Sequence, residues 1–217
     1  MTLSSWWDAG SRVVVETKTG QAELFVWTGG DGPTVTLLHG YPGSSYDWHR
    51  LAEDLVPEFR VIAPDLLGFG KSAKPFPYPY GLREQADLIE QLWDHFGISQ
   101  SAVVAHDYSS SIAQELLRRE SPVVTSVVLF NGGIYPALHR PTDGQLALLG
   151  PDGDVLAALI DEGLWTQAVA ATFGPAHPLT DEQAHDLRWR SPIRTADDWR
   201  QPCCTTSQTE RSTARHG

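Results

Sequence analysis

Four short apolar runs constrain this chain more than any other feature: "TVTLLHG", "RVIAPD", "SAVVAHD" and "VTSVVLFNGG". Their β-branched residues are continuous rather than strictly alternating, which suits strands covered on both faces. Amphipathic segments lie between them. In "GLREQADLIEQLWDHFG", residues Leu82, Ala86, Ile89, Trp93 and Phe96 recur at helical spacing, and Gly97 supplies a stop. "SSSIAQELLRRE" follows the same logic. Two earlier runs, "RVVVETKTG" and "AELFVWTGG", read as antiparallel strands joined by turn residues. Strands alternating with helices predict a mostly parallel central sheet with helices on both faces, an α/β fold.

From Ile134 to about Arg200 the strand-like runs stop. The segment is rich in Ala, Leu, Trp and Pro, as in "DVLAALIDEGLWTQAVAATFG", and Thr180 and Gln183 have the spacing of a capping box. The expected organisation is therefore a core over 1–133 and a helical lid over 134–200. A tail follows over 201–217, "QPCCTTSQTERSTARHG", with none of Leu, Ile, Val, Phe, Tyr or Trp. Such a segment has too little apolar surface to offset its ordering entropy, so disorder is expected there. Read one base earlier, its codons permit an amphipathic helix, so the chain is read as truncated or frameshifted at its C-terminal end.

Composition narrows the function classes. At 217 residues and 41% hydrophobic content, with eight tryptophans, one substantial core is affordable. A net charge of −11 argues against nucleic acid and anionic membranes as partners. No run approaches the roughly 20 apolar residues that span a bilayer, and no secretory leader is visible, so a cytoplasmic location is expected. The two cysteines, Cys203 and Cys204, are adjacent and suit neither a disulfide framework nor zinc. No phosphate-cradling glycine loop or ligand-spaced histidine cluster occurs, so neither metal nor organic cofactor is expected.

The chemistry concentrates where a strand runs straight into a helix, at Ala105-His106-Asp107-Tyr108-Ser109-Ser110. A turn that tight needs small neighbours around its central residue, and Ala105, Ser109 and Ser110 meet that demand. Asp107 at its apex would be a nucleophile, or simply the cap of the next helix. "HGYPGSSYDW", His39 to Trp48, follows the third strand and offers a backbone that can approach a substrate oxygen. "DLLGFGKS" adds Asp65, Gly68, Gly70 and Ser72 after the fourth.

Together these motifs resemble the α/β-hydrolase fold, in its aspartate-nucleophile branch of epoxide hydrolases and haloalkane dehalogenases. "AHDYSSSIAQELL" and "LFNGGIYPALHRP" are most similar to the mesoderm-specific-transcript-like group of that branch. The resemblance implies Asp107 as nucleophile, an ester intermediate, and an oxyanion hole from the backbone N–H groups of Tyr41 and Tyr108. It implies His39, Gly40, Trp48 and His106 as substrate-binding residues. The substrate would be a small molecule of the epoxide, ester or alkyl halide class.

Departures from the pattern narrow this. Tyr108 and Tyr41 stand where dehalogenases hold the halide, and the segment 134–200 has only Tyr135 where epoxide hydrolases use lid tyrosines. Asn131, not a carboxylate, follows the sixth strand, and His139, His177, His185 and His216 follow no core strand. With no base histidine in place, turnover is expected to be impaired. A non-catalytic binding or regulatory protein of the same fold is the rival reading.

Overall fold

The computed structural model describes residues 1–138, 140–181 and 183–184. The chain divides into two compact units, residues 1–75 with 80–139, and residues 76–79 with 140–217. His139, His185, His216 and the tail over 201–217 lie outside the described residues.

The first unit is built on one six-stranded sheet. Its strands are β1 (Ser11–Thr17), β2 (Gly20–Gly29), β3 (Thr34–Leu38), β4 (Arg60–Pro64), β5 (Ser101–His106) and β6 (Val124–Phe130), in the order β1-β2-β4-β3-β5-β6. β1 pairs antiparallel with β2, and β2 antiparallel with β4. β3 runs parallel to both β4 and β5, and β5 parallel to β6. The sheet is thus mixed, with the predicted parallel half carrying the three motifs at its strand ends.

Helices cover both faces. α1 (Leu3–Ala9) and α2 (His49–Leu55) lie on one side, where Trp6, Phe25, Trp27, Val35, Leu37, Tyr46, Trp48, Ala52, Val61 and Ala63 form a single cluster. Successive strand side chains point to opposite faces, so Thr36 faces the other way from Val35 and Leu37. There the Trp93 indole of α3 (Leu82–His95) donates to Thr36 Oγ1 at 2.9 Å. α4 (Tyr108–Arg118) packs beside α3, and its Arg119 reaches back to α3 carboxylates on Asp87 and Glu90.

Two features depart from the sequence expectation. α1 carries no long apolar period, yet it forms, because Thr2 and Ser5 make a capping box and Trp6 stacks on Trp27 at 4.2 Å. Tertiary packing, not propensity, selects this helix. Coverage of both faces holds for β3 and β4 but not for β1 and β6, where Val14 and Val128 are each 56% exposed. These are the two edge strands of the sheet among the described residues, so their runs of β-branched residues meet neighbours on fewer sides.

The second unit is helical where described: α5 (Asp143–Leu148), α6 (Gly153–Leu159) and α7 (Glu162–Ala170). Trp165 and Val169 form a buried cluster there, with Ile160, Phe173 and Leu179 packed against them. The Thr180–Gln183 capping box is present in both directions, at 3.0 and 3.2 Å.

Candidate active site

β5 ends at His106, α4 begins at Tyr108, and Asp107 between them adopts φ 52°, ψ −117°. A non-glycine residue enters that region only under constraint from its surroundings. The constraint is visible on both sides of the peptide: Asp107 N–H donates to Phe130 O at 3.2 Å, and Asp107 O accepts from Ser110 N at 3.0 Å. Ser109 and Ser110 are fully buried beneath the bend, so larger side chains there would force it open. The side chain of Asp107 makes no capping hydrogen bond to α4. Asp107 thus holds the N-cap position of α4 without its carboxylate serving as the cap.

Instead, Oδ1 of Asp107 accepts the backbone N–H of Tyr41 at 2.9 Å. No described residue hydrogen-bonds Oδ2. The approach is permitted by Gly40, where a Cβ would lie 2.6 Å from Asp107 Cβ and 3.0 Å from His106 Nδ1. Tyr108 is the first residue of α4, and the opening N–H groups of a helix have no acceptor within it.

The loop that holds Tyr41 is fixed from behind. His39 is fully buried, with Nε2 accepting Leu66 N–H at 3.1 Å and Nδ1 donating to Gly40 O at 2.9 Å. Both ring nitrogens are therefore spent on backbone, which sets the Nδ1–H tautomer. The hydroxyl of Ser109 donates to His39 O, tying the same loop to the first turn of α4. Asp65 is also fully buried, and its oxygens accept Ser45 N at 2.7 Å and Lys71 N at 2.6 Å. Ser72 Oγ closes the turn by donating to Asp65 O at 2.6 Å.

Aromatic side chains flank the elbow. His106 sits against Phe130, with ring centroids 5.0 Å apart, and Trp48 meets both rings edge-on. The buried indole N–H of Trp48 has no hydrogen-bond partner among the described residues. Asn131, at φ 54°, brings its amide nitrogen to 3.5 Å from His106 Nε2. Phe69 was not singled out in the sequence, yet its ring packs near those of His39, Tyr41 and Tyr108. Its placement between two glycines in "LGFGK" was the available signal.

The structure thus brings Asp107, Tyr41, Gly40, His39, Tyr108 and His106 to one place in the first unit, with Trp48 against His106. Tyr135 is 68% exposed. Among the described residues no group of His, Cys, Asp and Glu could hold a metal ion, and no helix is long and apolar enough to cross a membrane.

The sequence model of the α/β-hydrolase fold matches residues 33–159, from the start of β3 through the elbow and beyond β6. The chain belongs to the α/β-hydrolase fold family. Mouse mesoderm-specific transcript protein is 39% identical over 171 residues, 73% of this chain and 50% of that protein. A soluble epoxide hydrolase from Corynebacterium is 40% identical over 86 residues, 40% of this chain and 30% of that enzyme. The chain therefore spans half or less of the length of these relatives. An α/β-hydrolase fold protein from Burkholderia ambifaria superposes with a TM-score of 0.73 at 25% identity, over 94% of this chain and 74% of that one.

Proposed function

We propose that this chain carries out the nucleophilic half of an α/β-hydrolase reaction, with Asp107 attacking a small organic electrophile of the epoxide, ester or alkyl halide class. One observation carries the reading: a strained carboxylate that declines to cap its helix and instead places one oxygen on the Tyr41 N–H. That bond divides the labour between the two oxygens. Oδ2, without a protein donor among the described residues, is the attacking atom.

With an epoxide, Oδ2 forms a bond to one ring carbon while that carbon's C–O bond breaks, and the ring oxygen, still held by the neighbouring carbon, keeps the electron pair and takes a proton from water. With an alkyl halide, the halide departs with the pair. Either way Oδ1 becomes the carbonyl oxygen of an ester, already seated on the Tyr41 N–H. Water adding to that ester carbon would place negative charge on Oδ1, where Tyr41 and Tyr108 N–H groups offer stabilisation. His39, with both nitrogens engaged, serves to hold the Tyr41 loop rather than to move protons.

The water needs a base, and no imidazole among the described residues hydrogen-bonds Asp107. We therefore infer that the ester accumulates on this chain instead of turning over rapidly. The test is intact-protein mass spectrometry after exposure to styrene oxide or an alkyl bromide. One stoichiometric adduct, mapped to Asp107 and absent from Asp107→Asn, is expected. Reversible ligand binding with no adduct would replace this reading with the non-catalytic binding protein.

A further inference from the structure

Outside the elbow, a second collection of charged and aromatic groups meets at a surface cavity of about 180 Å³, lined by Trp7, Asp8, Gly10, Arg12, Phe25 and Lys71, with Ser11 between. It shares no residue with the site around Asp107. Four elements build it: the last turn of α1, the start of β1, β2 through Phe25, and the loop after β4. Its floor is firm, because Phe25 is 3% exposed and its backbone N–H is held by Ser72 Oγ at 2.9 Å. A Cβ at Gly10 would lie 2.1 Å from the Phe25 ring, so only glycine lets the chain turn here beside that ring.

The cations are placed, not loose. Arg12 Nη1 donates to the backbone carbonyl of Lys71 at 3.0 Å. Lys71 is anchored through its own N–H to Asp65, and its ammonium lies 4.4 Å from the centre of the Trp7 ring. A cation over an indole face is attracted to the ring's negative face and keeps its other donors for a third group. No described carboxylate forms an ion pair with Lys71. Among the described residues the one carboxylate paired with Arg12 is the exposed Glu23, at 3.6 Å, a pairing a ligand can displace. The indole N–H of Trp7 is buried and has no partner among the described residues. In a chain of net charge −11, two cations converging on one aromatic cavity form a local exception.

The geometry points to a second binding site in this protein, for a small aromatic carboxylate. The charge balance of the lining selects the ligand. Arg12 and Lys71 supply two positive charges and Asp8 one negative, which suits a monoanion and disfavours phosphate dianions. Trp7 and Phe25 bring two ring edges into an otherwise polar lining, and the cavity is below the usual range for drug-sized molecules, so nothing larger than a single ring with one carboxylate fits. The carboxylate lies between the Arg12 guanidinium and the Lys71 ammonium, as charge-assisted hydrogen bonds favour.

The test is a titration of the whole chain with benzoate, followed by the indole N–H signals in heteronuclear NMR, the Trp7 signal being assigned by its loss in Trp7→Phe. Saturable movement of the Trp7 signal is expected, weakened about tenfold or more in both Lys71→Gln and Arg12→Gln. Both substitutions leave buried packing intact, and the remaining indole signals report that the fold is kept. Three results would each overturn the assignment: no saturable shift, affinity in both variants unchanged from that of the unsubstituted chain, or tighter binding of inorganic phosphate than of benzoate. Since Asp107 takes no part, an Asp107→Asn chain should bind benzoate unchanged, which separates this site from the reaction proposed above.

Discussion

The backbone N–H of Tyr41 and Oδ1 of Asp107 meet at 2.9 Å across 66 residues of sequence. This bond joins the loop after β3 to the bend after β5, two neighbouring parallel strands of the sheet. It fixes the rotation of the carboxylate before any substrate arrives. Preorganisation of this kind lowers the reorganisation needed when charge develops.

Gly40 makes that contact possible, and its replacement should be felt at Asp107. In Gly40→Ala the new methyl group would sit 2.6 Å from Asp107 Cβ, and backbone there must shift. A displacement of about 1 Å at a reacting atom can cost about 100-fold in rate. Adduct formation measured by time-resolved mass spectrometry should slow by that order, while a cooperative melting transition persists. An unchanged rate would mean that the elbow and the loop are not coupled.

His39 should behave as a structural residue when tested. Its removal in His39→Ala strands the Leu66 N–H in a buried place, while the Gly40 carbonyl keeps the N–H of Gly43. An unsatisfied buried group costs about 1–3 kcal/mol, so a loss of that order in denaturant unfolding is expected. A variant that loses adduct formation with no loss of stability would instead give His39 a chemical role.

Part of this site was open to sequence reasoning, and part was closed to it. Small residues around Asp107 and the glycine turn after β3 report sterics, which sequence records directly. The choice between cap and nucleophile depends on where a carboxylate points, and several residues far apart decide that. Phe69 escaped notice for the same reason: its partners His39, Tyr41 and Tyr108 come from two other loops. The strands β3, β4 and β5 announce themselves as apolar runs, but the same kind of run in β6 could not reveal that Val128 and Phe130 remain exposed. Burial belongs to neighbours, not to the run itself.

The N-terminal helix gives a further prediction, since Trp6 is fully buried, stacks on Trp27 and donates to Ser45 Oγ at 3.0 Å. Trp6→Ala removes a large ring from the cluster that also holds Trp48 and Tyr46. A cost of about 3–5 kcal/mol is expected from chemical denaturation. Trp6→Phe should recover part of it without restoring the Ser45 hydrogen bond.

Acid should weaken the contact between α3 and α4 through Glu115. Hydrogen bonds from Arg118 and Arg119, outweighing the opposing effect of burial, lower its pKa from 4.5 to about 2. Because the folded value lies below the unfolded one, the stabilisation is fully present above about pH 4.5 and is lost as pH falls through 2. Arg119 extends the pairing to Asp87 at 2.6 Å and Glu90 at 2.8 Å, so the network spans both helices. Solvent around the half-exposed partners screens the effect, leaving about 1–2 kcal/mol to be read between those limits. Denaturant titrations of wild type and Glu115→Gln should therefore differ most near neutral pH and converge toward pH 2. Parallel curves across that window would show that Glu115 does not titrate as its arginine partners dictate.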